Sequence, residues 1–71
     1  MPTVLLCVTG LAGAGDEARV QDALLAEPGV LGAVASHQDG CAEVDIDDDR
    51  VTYQRLIEVI EAAGFQAELA G

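Results

Sequence analysis

Hydrophobic and polar positions along the chain switch between two spacings. Over Thr3–Thr9 they alternate with period two, Leu6 and Val8 on one face and Leu5, Cys7 and Thr9 on the other, which predicts a first strand. Gly10–Gly15, reading GLAGAG, is a loop. Asp16–Ala26 has helical spacing, with Val20, Ala23 and Leu24 on one stripe. Asp16 and Glu17 fall in its first turn, where the helix dipole favours carboxylates. Glu27-Pro28-Gly29 stops it. A second strand follows over Val30–His37, then a turn at Gln38-Asp39-Gly40. In the third strand, Cys41–Ile46, Ala42, Val44 and Ile46 alternate with Cys41, Glu43 and Asp45, so one face is buried and the other wet. Asp47–Asp49 turn. Thr52 caps a helix over Tyr53–Ala63 that buries Leu56, Ile57 and Ile60, and Gly64 ends it. Phe65–Leu69 is a last short strand.

The order β-α-β-β-α-β predicts an α+β, ferredoxin-like sandwich: a four-stranded antiparallel sheet with two helices on one face. The halves read as a weak duplication of strand, helix and strand. One sheet face and both helix stripes share a small core, and the other sheet face is left open to solvent. This architecture hosts many functions, so function has to come from the first loop, the other open loops and the open face.

Length and charge narrow the classes. The chain has 71 residues, read as one domain over residues 1–71. Thirteen acidic residues against three arginines give a net charge of −10. That field repels nucleic acid and anionic membrane and suits a cation or a basic protein partner. Hydrophobic residues at 51% exclude a disordered acidic tail. No apolar stretch approaches the roughly 20 residues that span a bilayer. Two cysteines without paired spacing are too few for a disulfide framework, so the reducing cytoplasm is the expected compartment, and the apolar start lacks the basic region of a signal peptide.

Several motifs fail on inspection. GLAGAG is neither a dinucleotide fingerprint nor a P-loop, and Asp16 and Glu17 would repel phosphate. The run Asp45-Ile46-Asp47-Asp48-Asp49 lacks the Gly and closing Glu of a calcium loop and reads as a solvated turn. His37 stands alone beside the hairpin and reads as a surface or edge histidine. No nucleophile–base arrangement and no lysine are present, so no catalytic residues are nominated and an enzyme is not expected.

Five segments carry a resemblance: Val8-Thr9-Gly10-Leu11, Ala18-Arg19-Val20-Gln21-Asp22-Ala23-Leu24, Pro28-Gly29-Val30, Glu43-Val44-Asp45-Ile46-Asp47, and Leu56-Ile57-Glu58-Val59-Ile60-Glu61-Ala62-Ala63-Gly64-Phe65. Together they resemble the heavy-metal-associated domain family, the copper-chaperone-like modules also found at the amino ends of metal-transporting ATPases. The resemblance runs along nearly the whole chain. A small-molecule-binding domain of the ACT type shares the Pro-Gly-Val style, but the Ile-Glu-x-Ala-Gly-aromatic ending favours the metal family.

The resemblance implies a first-loop motif Gly-Met-x-Cys-x-x-Cys whose two thiolates hold Cu(I) or another soft ion. Carried across, Gly10 matches the Gly, Leu11 the Met, Gly13 the first Cys and Asp16 the second, while Phe65 matches the aromatic packed beside the loop. Both family thiols are therefore replaced. No metal ligand is assigned in this chain, and Cu(I) enters by resemblance alone. On the family pattern Cys7 and Cys41 point to the open face from β1 and β3. Taken as parallel neighbours, they are offset by roughly 10 Å or more at ~3.3 Å per residue, which separates them too far to share an ion or a disulfide. The implied role is metal handling or transport, with docking of a basic or cognate metal-handling domain, or weak and atypical metal binding. The alternative is a metal-free interaction or regulatory module, with the open face (Leu5, Cys7, Val34, Cys41) as the surface for a partner sheet or a homodimer.

Overall fold

The computed structural model describes residues 2–70. Its elements run β1 (Thr3–Thr9), α1 (Ala14–Leu25), β2 (Val30–Ser36), β3 (Cys41–Ile46), α2 (Tyr53–Ala62) and β4 (Gln66–Leu69). The four strands form one antiparallel sheet in the order β2-β3-β1-β4, the expected ferredoxin-like arrangement. Helix α1 begins two residues earlier than expected, which shortens the first loop, and Phe65 precedes β4 rather than opening it.

Strand direction follows from the connections. A helical crossover joins β1 to β2, so those two strands run the same way. The hairpin returns the chain as β3, which lies between β1 and β4's side of the sheet on one hand and β2 on the other, and opposes both β1 and β2. The expectation of parallel β1 and β3 is thus corrected. Thr3 faces Asp45, Leu5 faces Glu43, and Cys7 faces Cys41.

The period-two pattern becomes the two faces of the sheet. Val4, Leu6 and Val8 of β1 and Ala42, Val44 and Ile46 of β3 are buried beneath Val20 and Leu24 of α1 and Leu56, Val59 and Ile60 of α2. Val59 takes the place expected of Ile57, which is half-buried at the edge of the core. Burying such aliphatic side chains contributes roughly 1.5–3 kcal/mol each. Strand β2 carries a bulge: Val30 pairs with Ile46 and Gly32 with Asp45, leaving Leu31 over. The extra residue resets the alternation, so that Val30, Ala33 and Ala35 all reach the core side.

Two glycines fix the joints. Gly64 (φ +101°) follows α2 and completes its C-terminal cap: its N–H bonds to the Glu61 carbonyl at 3.0 Å, and the Phe65 N–H to that of Ile60 at 3.3 Å. This delivers Phe65 into the core. Gly29 (φ +97°) sits tightly against the turn before α2; a Cβ there would lie 3.0 Å from the Cβ atoms of Arg50 and Val51. At Gly64 a Cβ meets nothing within 4 Å. Gly64→Ala is therefore expected to cost about 1 kcal/mol, the left-handed backbone term alone. Gly29→Ala adds a clash and should cost about 2 kcal/mol or more in urea unfolding. Equal losses would show that the Gly29 contact does not matter.

Candidate functional site

The first loop leaves β1 at Gly10 and enters α1 through Gly13, the residue that caps the helix. Gly13 has extended backbone (φ 176°), supplies no side-chain cap, and has open space where a Cβ would stand. Asp16 ties the loop to the helix: its Oδ2 accepts the N–H of Ala12, the residue before the cap, at 2.8 Å. A carboxylate in the first turn thus satisfies a loop donor just ahead of the helix. Leu11 packs against the core. The Gly10 backbone lies over Phe65, whose Cδ1 would be 3.6 Å from a Cβ at Gly10. Gly10 and Phe65 therefore lie together at this end of the sheet.

These residues do not fit a soft metal ion. Gly13 has no donor atom, and Asp16 offers hard oxygens, one of them engaged by Ala12. Among the described residues no group of three or more His, Cys, Asp or Glu side chains is placed to hold an ion.

The thiols lie elsewhere. Cys7 is exposed and Cys41 half-buried, both free, on the open face one step from the hairpin. They stand directly opposite each other rather than offset. The bonding pattern defines the kind of pair. Val8 N–H bonds to the carbonyl of Gly40, its opposite number, at 2.8 Å, and Ile46 N–H to that of Pro2 at 3.1 Å. Bonded and non-bonded pairs alternate along an antiparallel ladder, so Cys7–Cys41 is a non-hydrogen-bonded pair, the kind with Cα atoms ~4.5 Å apart and side chains closest. Thr3–Asp45, a pair of the same kind, shows the consequence: the Thr3 hydroxyl donates to Asp45 Oδ1 at 2.7 Å. Burial, then the negative groups at Asp39, Cys7 and Glu43, push the Cys41 thiol up from its ordinary value. The signal for this pair was present in the topology: once β1 and β3 oppose each other, Leu6 facing Ala42 places Cys7 against Cys41.

His37 is the surface histidine expected, and it has a partner on α1. Its backbone N–H donates to Glu17 Oε2 at 2.6 Å, and its Nδ1 lies 2.6 Å from the same oxygen. The contact pins the hairpin to the first turn of α1. Two further ties were invisible in the sequence, because their partners lie 14 and 28 residues apart: Gln21 Oε1 accepts the Ala35 N–H on the edge strand at 2.9 Å, and Arg55 holds Glu27 through two bonds of 2.9 and 3.1 Å. The run at Asp47 is a turn as expected, with Asp47 Oδ1 accepting the Asp49 N–H at 3.2 Å. No helix among the described residues is long and apolar enough to cross a membrane.

No family model matches the sequence, and no curated protein matches it. Solved structures do. A copper-binding domain from HMA7, a P-type ATPase, is 32% identical with a TM-score of 0.97 over 100% of this chain and 96% of that one. The yeast copper transporter domain CCC2A is 28% identical, TM-score 0.88, over 97% and 94%. The CopZ metallochaperone is 25% identical, TM-score 0.91, over 94% and 100%.

The Glu17 contact has a pH signature. The His37 backbone N–H, then its side chain, hold the Glu17 carboxyl below its ordinary value of 4.5. A carboxyl with a depressed folded-state pKa contributes stability above its unfolded value and loses it as pH falls through the lowered one. Glu17→Gln keeps an acceptor but cannot titrate. The stability difference between parent and variant should therefore be constant near neutrality and shrink on acidification below pH 4.5, measured by urea unfolding across pH. A difference independent of pH would remove the assignment.

Proposed function

The chain belongs to the heavy-metal-associated domain family, and from that premise we propose that it is a metal-handling or metal-transport module whose first loop no longer carries the thiol grip. The supporting observation is the loop itself. At the positions that the resemblance assigns to the two thiols, Gly13 offers no ligand and Asp16 spends an oxygen on the loop N–H of Ala12. The scaffold that presents the loop is otherwise kept, with Leu11 and Phe65 packed beneath it. Such a module works by docking a cognate or basic domain, or by holding metal weakly or in another manner, and it works without catalysis. Its net charge of −10 favours a basic partner surface and speeds encounter with one. A cytoplasmic location and a single domain over residues 1–71 complete the reading.

The loop geometry supports a direct test. Gly13 has extended backbone and free space, so a cysteine fits there; Asp16 lies one turn on, three residues away. In a Cys7→Ser/Cys41→Ser background, where only the loop can report, the protein is expected to take up no Cu(I) from a competing chelator. Adding Gly13→Cys/Asp16→Cys should create uptake of one Cu(I) per chain. Uptake without the added loop cysteines would show that the native loop does bind. Failure with them would show that the scaffold does not present the family geometry.

A second reading rests on the open face, where Leu5 and Val34 remain 44% and 65% exposed on either side of Glu43. A metal-free module associating through this face would form a dimer at high concentration in light scattering. A monomer there removes the self-association version of the reading.

A further inference from the structure

We infer that Cys7 and Cys41 form a two-thiolate site for a soft metal ion of linear preference, of which Cu(I) is the type, on the open face of the sheet and away from the family's loop. The inference deepens the metal-handling reading and rests on it.

The geometry comes first. The two thiols occupy directly opposing positions of a non-hydrogen-bonded pair on adjacent strands. Opposing Cβ atoms in antiparallel pairs lie ~4.5–5.5 Å apart, at the close end in non-hydrogen-bonded pairs. Two metal–sulfur bonds laid end to end span ~4–5 Å, on the scale of a zinc–sulfur bond of ~2.3 Å. An undistorted ladder therefore places both sulfurs on opposite sides of one ion. A disulfide needs Cβ atoms ~3.5–4.5 Å and Cα atoms ~4.4–6.8 Å apart, a range this close pair also meets, so the ion is held only while both thiols are kept reduced.

Ligand number comes next. Among the described residues no third His, Cys, Asp or Glu completes a cluster with the pair, which rules out an ion that demands four ligands. A soft ion satisfied by two sulfurs is the class that remains. The surroundings bring cations to the face. Glu68 stands opposite Cys7 on β4, Glu43 lies two residues along β3 from Cys41, and all three arginines lie outside the strands. Access is open: Cys7 is exposed and borders a shallow hollow of about 160 Å³ with Thr9, Gln66, Ala67 and Glu68. On binding, each thiol releases its proton to solvent as its sulfur bonds the ion, and no electron is transferred.

The experiment is anaerobic Cu(I) titration of the whole chain against a chromophoric chelator, with a non-thiol reductant, followed by thiol alkylation. The expected result is one Cu(I) per monomeric chain, protection of both cysteines from alkylation, and a loss of about 100-fold or more in affinity for Cys7→Ser or Cys41→Ser alone, since each leaves a single ligand. Cys7 is exposed, so its variant serves even if Cys41→Ser disturbs the fold. Uptake unchanged by either substitution, alkylation unchanged by Cu(I), one ion shared between two chains, or a disulfide with no metal taken up would each overturn the inference. The Gly13→Cys/Asp16→Cys protein in the serine background separates the two levels. If it binds and the parent does not, the sheet-face site is wrong and the metal-handling reading stands. If neither binds, the sheet-face site is wrong and the scaffold does not present the family geometry either.

Discussion

Strand β1 is paired on both sides, with β3 and with β4, and the antiparallel register of its β3 ladder governs the rest of the molecule. It sets Leu6 against Ala42 and Val4 against Val44 on the inner face, and with that the floor on which both helices rest. The same register sets Thr3 against Asp45, Leu5 against Glu43 and Cys7 against Cys41 on the outer face. A slip of one residue would exchange the faces, exposing the aliphatic floor and burying carboxylates, so burial holds the outer pairs in place as firmly as the inner ones. The position of the two thiols is thus a consequence of core packing.

The helices are tied down by polar contacts spanning long stretches of chain. Glu17 reaches the hairpin, Gln21 the edge strand, and Arg55 the end of α1. Each joins a helix to a segment that sequence separates from it, and two of the three give a carboxylate a partner in a strongly acidic protein. Exposed ion pairs of this kind contribute little energy individually. Their larger effect here is on position: the first turn of α1, the hairpin and the loop between them are held as one end of the molecule.

That end carries the functional argument. The scaffold of a heavy-metal-associated domain is intact, from the capped α2 that delivers Phe65 to the glycine that lets the loop pass over it. The loop's own chemistry is changed, because a glycine and an engaged carboxylate stand where the resemblance puts sulfur. Sulfur is instead found on the two central strands of the sheet, on the face opposite the helices. On the proposed reading, metal chemistry on this scaffold depends on a pairing of strands rather than on the conformation of a loop.

The sequence by itself determined the element order, the bounds of β1 and β3, the cap at Thr52, the glycine after α2 and nearly all of the core, since each is written in local periodicity or in the backbone needs of one residue. It also determined the absence of thiols from the first loop. Tertiary structure decided what depends on strand direction and on contacts across long stretches of chain: the bulge at Leu31 that brings Val30 inward, the Glu17–His37 tie, and the meeting of Cys7 with Cys41. Side-chain alternation tells which face a residue occupies. Which residue it meets on that face is fixed only when the neighbouring strand has a direction and a register, and those come from how the whole chain closes its core.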